Sequence, residues 1–144
     1  MNKSDNQTEI ILTEWQTCVE MANSVSQRRD TMNNIFVTLN LAIFAAITLT
    51  WDLKSLFILM AGIIICIIWI FFIRNYRLLN TAKFKVINQI EQKLPFSPFN
   101  DEWKILKEGE KYSDSTRLEN ALPITFIVLY IIEMITILVI KFYF

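Results

Sequence analysis

The sequence predicts an all-α membrane protein with three transmembrane helices, made of a helical hairpin and a third span, and a helical cytoplasmic vestibule. The first observation is three apolar runs, 35–50, 56–73 and 121–144, the last of which forms the third transmembrane helix. A bilayer core about 30 Å thick takes roughly 20 apolar helical residues to cross. The second observation is that 53% of only 144 residues are hydrophobic. A chain this short cannot bury three such runs in a water-soluble core.

The N-terminal segment, residues 1–32, is predicted to be a cytoplasmic amphipathic helix that continues into the first span. Its polar and charged composition argues against a cleavable signal peptide. Apolar residues recur at helical intervals of three and four, which gives the segment one apolar stripe. The members of this stripe are Ile11, Trp15, Cys18, Ala22 and Val25.

Residues 33–74 are predicted to form a transmembrane hairpin, because the polar stretch between the first two runs is long enough only for a tight turn. Small residues allow membrane helices to approach closely, and we assign helix packing to Ala42, Ala46 and Gly62. Antiparallel folding is expected to bring Ala42 near Gly62 and Ala46 near Leu59.

Residues 75–120 are predicted to be a cytoplasmic helical insert. An amphipathic helix is expected to prolong the second span as one rod and to end at Pro95. A short helix over 101–109 follows, and its spacing predicts that Trp103 and Leu106 point inward.

The basic residues are distributed unevenly, although the net charge is zero, with 14 Lys and Arg against 14 Asp and Glu. This balance gives no indication of a nucleic acid partner. Arg28 and Arg29 precede the first span, and Arg74 and Arg77 follow the second. The positive-inside rule therefore predicts a cytoplasmic N-terminus and insert, with the C-terminus outside.

Three stretches of the chain resemble a known family. They are "WQTCVEMANSVSQRRDTMNNIFVTLN", "RLLNTAKFKVINQIEQKLPFSPFNDEW" and "RLENALP" before the last span. The chain resembles the bacterial RipA-like family of octameric small membrane proteins, and the order of arm, hairpin, insert and third span agrees. The resemblance implies a homo-oligomer, an octamer, in the bacterial inner (cytoplasmic) membrane. Some members look like accessories or effectors in antiphage systems, beside signalling enzymes.

No residue pattern indicates an enzyme. The chain has no histidine, only two glycines and two separated cysteines, Cys18 and Cys66. These residues supply no metal-ligand spacing, phosphate-binding loop or nucleophile motif. We therefore expect no catalytic residues, no metal and no cofactor.

The four arginines Arg28, Arg29, Arg74 and Arg77 are predicted to form a basic collar at the inner face of the membrane. The first interpretation is that these arginines set the orientation of the chain in the membrane and contact lipid headgroups. The alternative is a site for an anion or a nucleotide signal, in which an aromatic ring offers a stacking face. The candidate rings are Trp15, Tyr76 and Trp103. A cytoplasmic partner protein is a further possible partner of the chain.

Glu133 lies near the centre of the third span, where a charge is costly and usually functional. Asn40 falls at a similar depth and is its predicted hydrogen-bond partner, which would make the pair a structural link. A ring of Glu133 carboxylates lining a cation path is the second interpretation. A proton relay is the third, and it lacks a second intramembrane acid. The neighbours on this helix face are apolar, so any conduction is expected to be gated; they are Phe126, Leu129, Tyr130, Ile137 and Ile140.

Two functions follow as hypotheses. One is an oligomeric inner-membrane effector that perturbs or permeabilises the membrane, as a pore, when triggered through its cytoplasmic part, in antiphage defence. Its trigger and setting rest on the family resemblance. The other is a non-conducting membrane scaffold that organises cytoplasmic partners or lipid. Membrane depolarisation on overexpression distinguishes the two.

Overall fold

The computed structural model describes residues 3–49, 52–109 and 115–143, and helices are the only regular secondary structure in these ranges. The helices are α1 (Lys3–Leu49), α2 (Ser55–Glu91), α3 (Pro98–Glu108) and α4 (Ser115–Tyr143). Three of them, α1, α2 and α4, are long and apolar enough to cross a membrane. The predicted all-α fold class is therefore confirmed. The part of the predicted insert that falls on residues 110–114 lies outside the described residues.

The helices α1 and α2 each combine two predicted segments. Helix α1 contains the N-terminal arm and the first span, and α2 contains the second span and the amphipathic helix after it. The short helix begins at Pro98 rather than at residue 101, because proline suits the first turn of a helix. Helix α4 begins at Ser115, before the predicted start at residue 121.

The chain divides into two compact units. The arm unit comprises Met1–Arg28 and Tyr76–Asp114, and the spanning unit comprises Arg29–Asn75 and Ser115–Phe144. Both α1 and α2 therefore contribute residues to each unit.

The core of the spanning unit is small and lies between α1, α2 and α4. Its buried members are Ile47, Leu59, Cys66, Tyr130 and Ile137. Large apolar side chains on the other faces stay exposed in the single chain, such as Phe57 at 81%. Lipid or other protein chains can cover such faces, since hydrocarbon is as apolar as these side chains.

The arm unit packs part of the stripe predicted on α1 against α2 and α3. Ala22 and Val25 of α1 and Ile87 of α2 are buried. Phe99 of α3 lies between Trp15 and Phe84, with ring-centroid distances of 5.8 Å and 5.6 Å. In this unit α1 is helical and packs on α2 and α3 through one face.

The inward orientation predicted for Trp103 is wrong. Its side chain is 48% exposed, and Lys107 Nζ lies 5.5 Å from its ring centroid. Phe99, one turn earlier on α3, takes the packed position instead. Leu106, the other residue predicted to point inward, is half-buried.

Candidate functional site

One face of α1 carries the polar side chains that join the helices of the spanning unit. Arg29, Asn33, Asn40 and the buried Ile47 follow at intervals of four, seven and seven residues. These intervals return to the same side of a helix with about 3.6 residues per turn. Each of the three polar residues contacts a side chain on another helix. We call these three contacts the polar ladder.

Asn40 joins all three spanning helices at the buried end of the polar ladder. Its Oδ1 accepts hydrogen bonds from Tyr130 Oη of α4 at 2.7 Å and from Cys66 Sγ of α2 at 3.1 Å. Its Nδ2 donates to the carbonyl oxygen of Phe36, 2.7 Å away. Asn40, Cys66 and Tyr130 are all fully buried. Hydrogen bonds between helices, such as the two that Oδ1 accepts, stabilise a bundle in lipid by about 0.6–2 kcal/mol per bond.

Gly62 makes room for Tyr130. A Cβ added at Gly62 would lie 2.6 Å from Tyr130 Cζ, so any larger residue would displace the phenol ring. The other face of the ring stacks on Phe44, with centroids 4.7 Å apart. The residue that lies close to Gly62 is thus Tyr130 of α4, whereas the sequence predicted that Ala42 of α1 would lie there. Ala42 and Ala46 are exposed in the single chain, and a packing role for them stays a prediction.

Two further contacts extend the polar ladder towards the start of α4. Trp69 Nε1 of α2 donates to Asn33 Oδ1 at 2.8 Å, and the indole stacks on Phe36. Arg29 forms an ion pair with Glu119 of α4, and both side chains are only 18% exposed. Sequence reasoning missed Glu119, although its place in the "RLENALP" stretch just before a span was a usable signal.

Helices α1 and α4 run parallel in one register. Arg29 pairs with Glu119, and Asn40 pairs with Tyr130. In each pair, the two residues are 90 positions apart in sequence. The core residues Ile47 and Ile137 keep the same offset. Contacts between these helices are therefore set by one alignment over most of the span.

This register explains why the predicted bond between Glu133 and Asn40 is wrong. The same offset puts Glu133 level with Ile43, which has no side-chain hydrogen-bond donor. Tyr130 lies about one turn before Glu133 on α4, and its hydroxyl donates the hydrogen bond to Asn40 instead. Glu133 is half-buried, and its Oε2 is buried with no hydrogen-bond partner among the described residues.

The predicted basic collar falls on both units. Arg28 and Arg77 belong to the arm unit, and Arg29 and Arg74 belong to the spanning unit. Arg28, Arg74 and Arg77 are exposed, and Arg29 forms the ion pair with Glu119. Anion binding by these arginines stays a prediction.

A buried carboxylate organises the arm unit, and sequence reasoning missed it. Glu91, at the end of α2, is fully buried. Its Oε1 accepts hydrogen bonds from Trp15 Nε1 at 3.3 Å and from the Phe99 amide at 3.2 Å, and its Oε2 accepts from the Asn100 amide at 3.2 Å. The first amides of a helix have no partners within the helix, and a negative charge beside them is stabilising. Glu91 therefore fixes the start of α3 against α1. We call this arrangement the Glu91 clasp.

These features define a small polytopic α-helical membrane protein whose spanning helices are held by buried polar side chains. The chain belongs to the octameric membrane protein family (8xMP), whose model matches residues 12–140. The match covers the arm, the hairpin, the insert and most of the third span, in agreement with the family type that the sequence resembles. The comparisons with curated proteins and with solved structures found no match.

Proposed function

We propose that this chain assembles as a homo-octamer in the bacterial inner membrane and permeabilises that membrane when its cytoplasmic part is triggered, as an effector in antiphage defence. The observation that carries the proposal is Glu133, whose Oε2 is buried in a spanning helix without a hydrogen-bond donor from the described residues of its own chain. A carboxyl oxygen that is buried without a hydrogen-bond donor is destabilising. Such a residue is better explained by function than by stability. The proposal assigns the chain no enzymatic activity and no cofactor.

The assembly and the orientation have separate support. The family that the chain belongs to is described as octameric. The exposed Arg28, Arg74 and Arg77 flank the first two spans, so the positive-inside rule favours a cytoplasmic N-terminus and a C-terminus outside. In this orientation the Glu91 clasp and α3 belong to the cytoplasm, where a trigger is available.

The proposed mechanism uses Glu133 as the cation-selective group of a gated path. An octamer brings eight of these side chains into one assembly, and rings of carboxylates select cations in channels. Phe126 and Ile137 lie on the same side of α4 and pack in the apolar core of the chain, so the proposed path is closed at rest. Because α1 and α2 each continue from the arm unit into the spanning unit, a displacement in the arm has a covalent route to the spans. The trigger class is an anionic nucleotide signal bound by the arginines, or a cytoplasmic partner protein.

The test compares Glu133→Gln with Thr136→Val. Gln keeps the size and polarity of Glu133 but cannot carry charge. Thr136 lies one turn away on α4, and its hydroxyl donates only within the helix, to the carbonyl oxygen of Ile132 at 2.9 Å. Depolarisation of cells on overexpression and during phage infection, together with ion release from liposomes containing the purified protein, gives the readout. We expect Gln to preserve the particle mass and lose the flux, and Val to preserve both.

A non-conducting scaffold that organises cytoplasmic partners or lipid is the second candidate, and the polar ladder favours it. Three cross-helix contacts hold α1, α2 and α4 in one register, as a rigid platform requires. If neither cells nor liposomes show ion flux with the parent protein, with and without infection, the effector proposal fails and the scaffold stands. Flux that is equal in the parent and in Glu133→Gln would remove Glu133 from the mechanism.

A further inference from the structure

The arm unit presents two different surfaces on opposite sides of its α1–α2 pair. Helix α3 packs on one side, through Trp15 of α1 and Phe84 of α2. On α1, Ile10 is rotated by about 140° from Trp15, and on α2, Ile90 is rotated by about 120° from Phe84, since each residue turns a helix by about 100°. Ile10 and Ile90 therefore face the side that α3 leaves open.

A groove of about 650 Å³ lies on this open side. Apolar side chains form part of its lining, including Ile10, which is 54% exposed, together with Cys18 and Ile90. Glu9 and Glu14 add two carboxylates to the lining. The volume falls within the range of protein sites that accept bulky side chains or small ligands.

Phe96 is a matching apolar anchor elsewhere in the same unit. It lies in the turn between α2 and α3, its side chain is 81% exposed, and Pro95 and Pro98 bracket its short segment. Prolines restrict the backbone, so little conformational entropy is lost when Phe96 enters a pocket. A rigid, exposed aromatic residue is typical of the anchors that dominate interfaces.

The charges near the groove and near Phe96 are complementary. Residues 6–27 of α1 contain three acids and no basic residue, and two of these acids, Glu9 and Glu14, line the groove. Lys93 is exposed and precedes Phe96 by three residues. None of these three charged side chains forms an ion pair among the described residues.

We propose that Phe96 of one copy inserts into the groove lined by Ile10, Cys18 and Ile90 of the next copy, with Lys93 beside Glu9 and Glu14. The occupant is a second copy of this chain, because Phe96 points away from its own unit and the charges match. A patch that binds a different patch on the next copy makes a head-to-tail contact, and such contacts form a ring when the rotation between copies closes. The inference rests on the proposed octameric assembly and adds the cytoplasmic contact that closes it.

The native Cys18 makes the contact directly testable. Phe96→Cys in the full-length protein, in membranes, should be joined to Cys18 of the next copy by mild oxidation or by a short bis-maleimide. We expect a ladder of covalent species that ends at the octamer. The parent protein and the double variant Phe96→Cys, Cys18→Ser should give no ladder. Thiol labelling of a separate sample that is not cross-linked verifies that both positions are accessible.

Each of the other possible results of the cross-linking experiment would contradict a specific part of the proposal. A cross-link confined to single chains would mean that Phe96 fills its own groove, and the contact between copies would be wrong. If native mass shows an octamer, both thiols are accessible to labelling and no cross-link forms, the proposed contact would be wrong while the octameric assembly would stand. A monomer in native mass measurements would instead refute the proposed assembly.

A charge exchange tests the same contact without a new thiol. Lys93→Glu should lower the yield of octamer in dilute detergent about two- to fivefold, as exposed ion pairs are weak. Adding Glu14→Lys to the same chain should restore the yield. Lys107→Glu, on the far part of α3, is the matched control and should have no effect. Failure of the exchanged pair to restore the yield would contradict the proposed pairing.

Discussion

Glu91 in the arm unit and Glu133 in the spanning unit have opposite surroundings. Glu91 in the arm unit is fully buried and accepts three hydrogen bonds from Trp15 and from the start of α3. Glu133 in the spanning unit has a buried carboxylate oxygen that no donor reaches among the described residues. The same residue type is therefore integrated into the structure of one unit and left incomplete in the other.

The difference predicts which of the two acids holds the structure together and which one adds little to its stability. Loss of a partner from a buried polar group costs about 1–3 kcal/mol per group, and more for charged groups. Glu91 is thus expected to contribute strongly to stability, whereas Glu133 is expected to contribute nothing or to destabilise the folded protein. Substitutions in the two units test this comparison.

The largest expected effect is that of Glu91→Ala. The change leaves Trp15 Nε1 and two amides of α3 without their acceptor. The arm unit should lose about 3 kcal/mol or more of stability, at roughly 1 kcal/mol or more per lost bond. Hydrogen exchange should then accelerate first in α3, followed by early proteolytic cleavage near Pro98. Glu102→Ala, at an exposed position of the same helix, serves as the control and should leave the exchange rate unchanged.

An intermediate effect is expected for Tyr130→Phe. This change removes the donor to Asn40 Oδ1 but keeps the ring that stacks on Phe44 and packs on Gly62. Stability in detergent should fall by about 0.6–2 kcal/mol, the range for hydrogen bonds between membrane helices. Thr38→Val, whose hydroxyl bonds only to the Asn34 carbonyl of its own helix, is the control in thermal unfolding. Equal melting of Tyr130→Phe and the parent would mean that the ladder adds little to stability.

The smallest effect on stability is expected for Glu133→Leu. Leu removes a carboxylate that has an unpartnered buried oxygen and adds apolar surface in a spanning helix. The melting temperature and the particle mass should be equal to those of the parent or slightly higher, while ion flux is lost. A clear loss of stability would show that Glu133 has a partner in a neighbouring copy. Glu133 would then stabilise the protein as Glu91 does, and the proposed difference between the two acids would be wrong.

The apolar pattern predicted most of the fold. The three runs, the stripe through Trp15 and Ala22, and the proline before α3 were sufficient to predict the helices and their order, because helix formation and burial in lipid depend on local composition. The depth of Asn40 also identified it as a polar group inside the bundle.

The hydrogen-bond partners of the buried polar residues were harder to predict, because they depend on the alignment of helices that are distant in sequence. Asn40 and Glu133 have similar depths, but the alignment of α1 with α4 places Tyr130 within hydrogen-bonding distance of Asn40. The same alignment places Glu133 level with Ile43. Glu91 was missed for a related reason. An acid at the end of an amphipathic helix looks exposed until the chain folds α3 back onto it.

The constant offset between α1 and α4 makes the length of each spanning segment intolerant of small insertions and deletions. One residue inserted between Arg29 and Asn40 would rotate all later side chains of α1 by about 100° and shift them by about 1.5 Å. Either the ion pair with Glu119 or the bond to Tyr130 would then be lost. Seven inserted residues would nearly restore the rotation but lengthen α1 by about 10 Å relative to α4. Natural variation in length should therefore collect in the connections, such as that between α3 and α4, while the distance from residue 29 to residue 47 stays fixed.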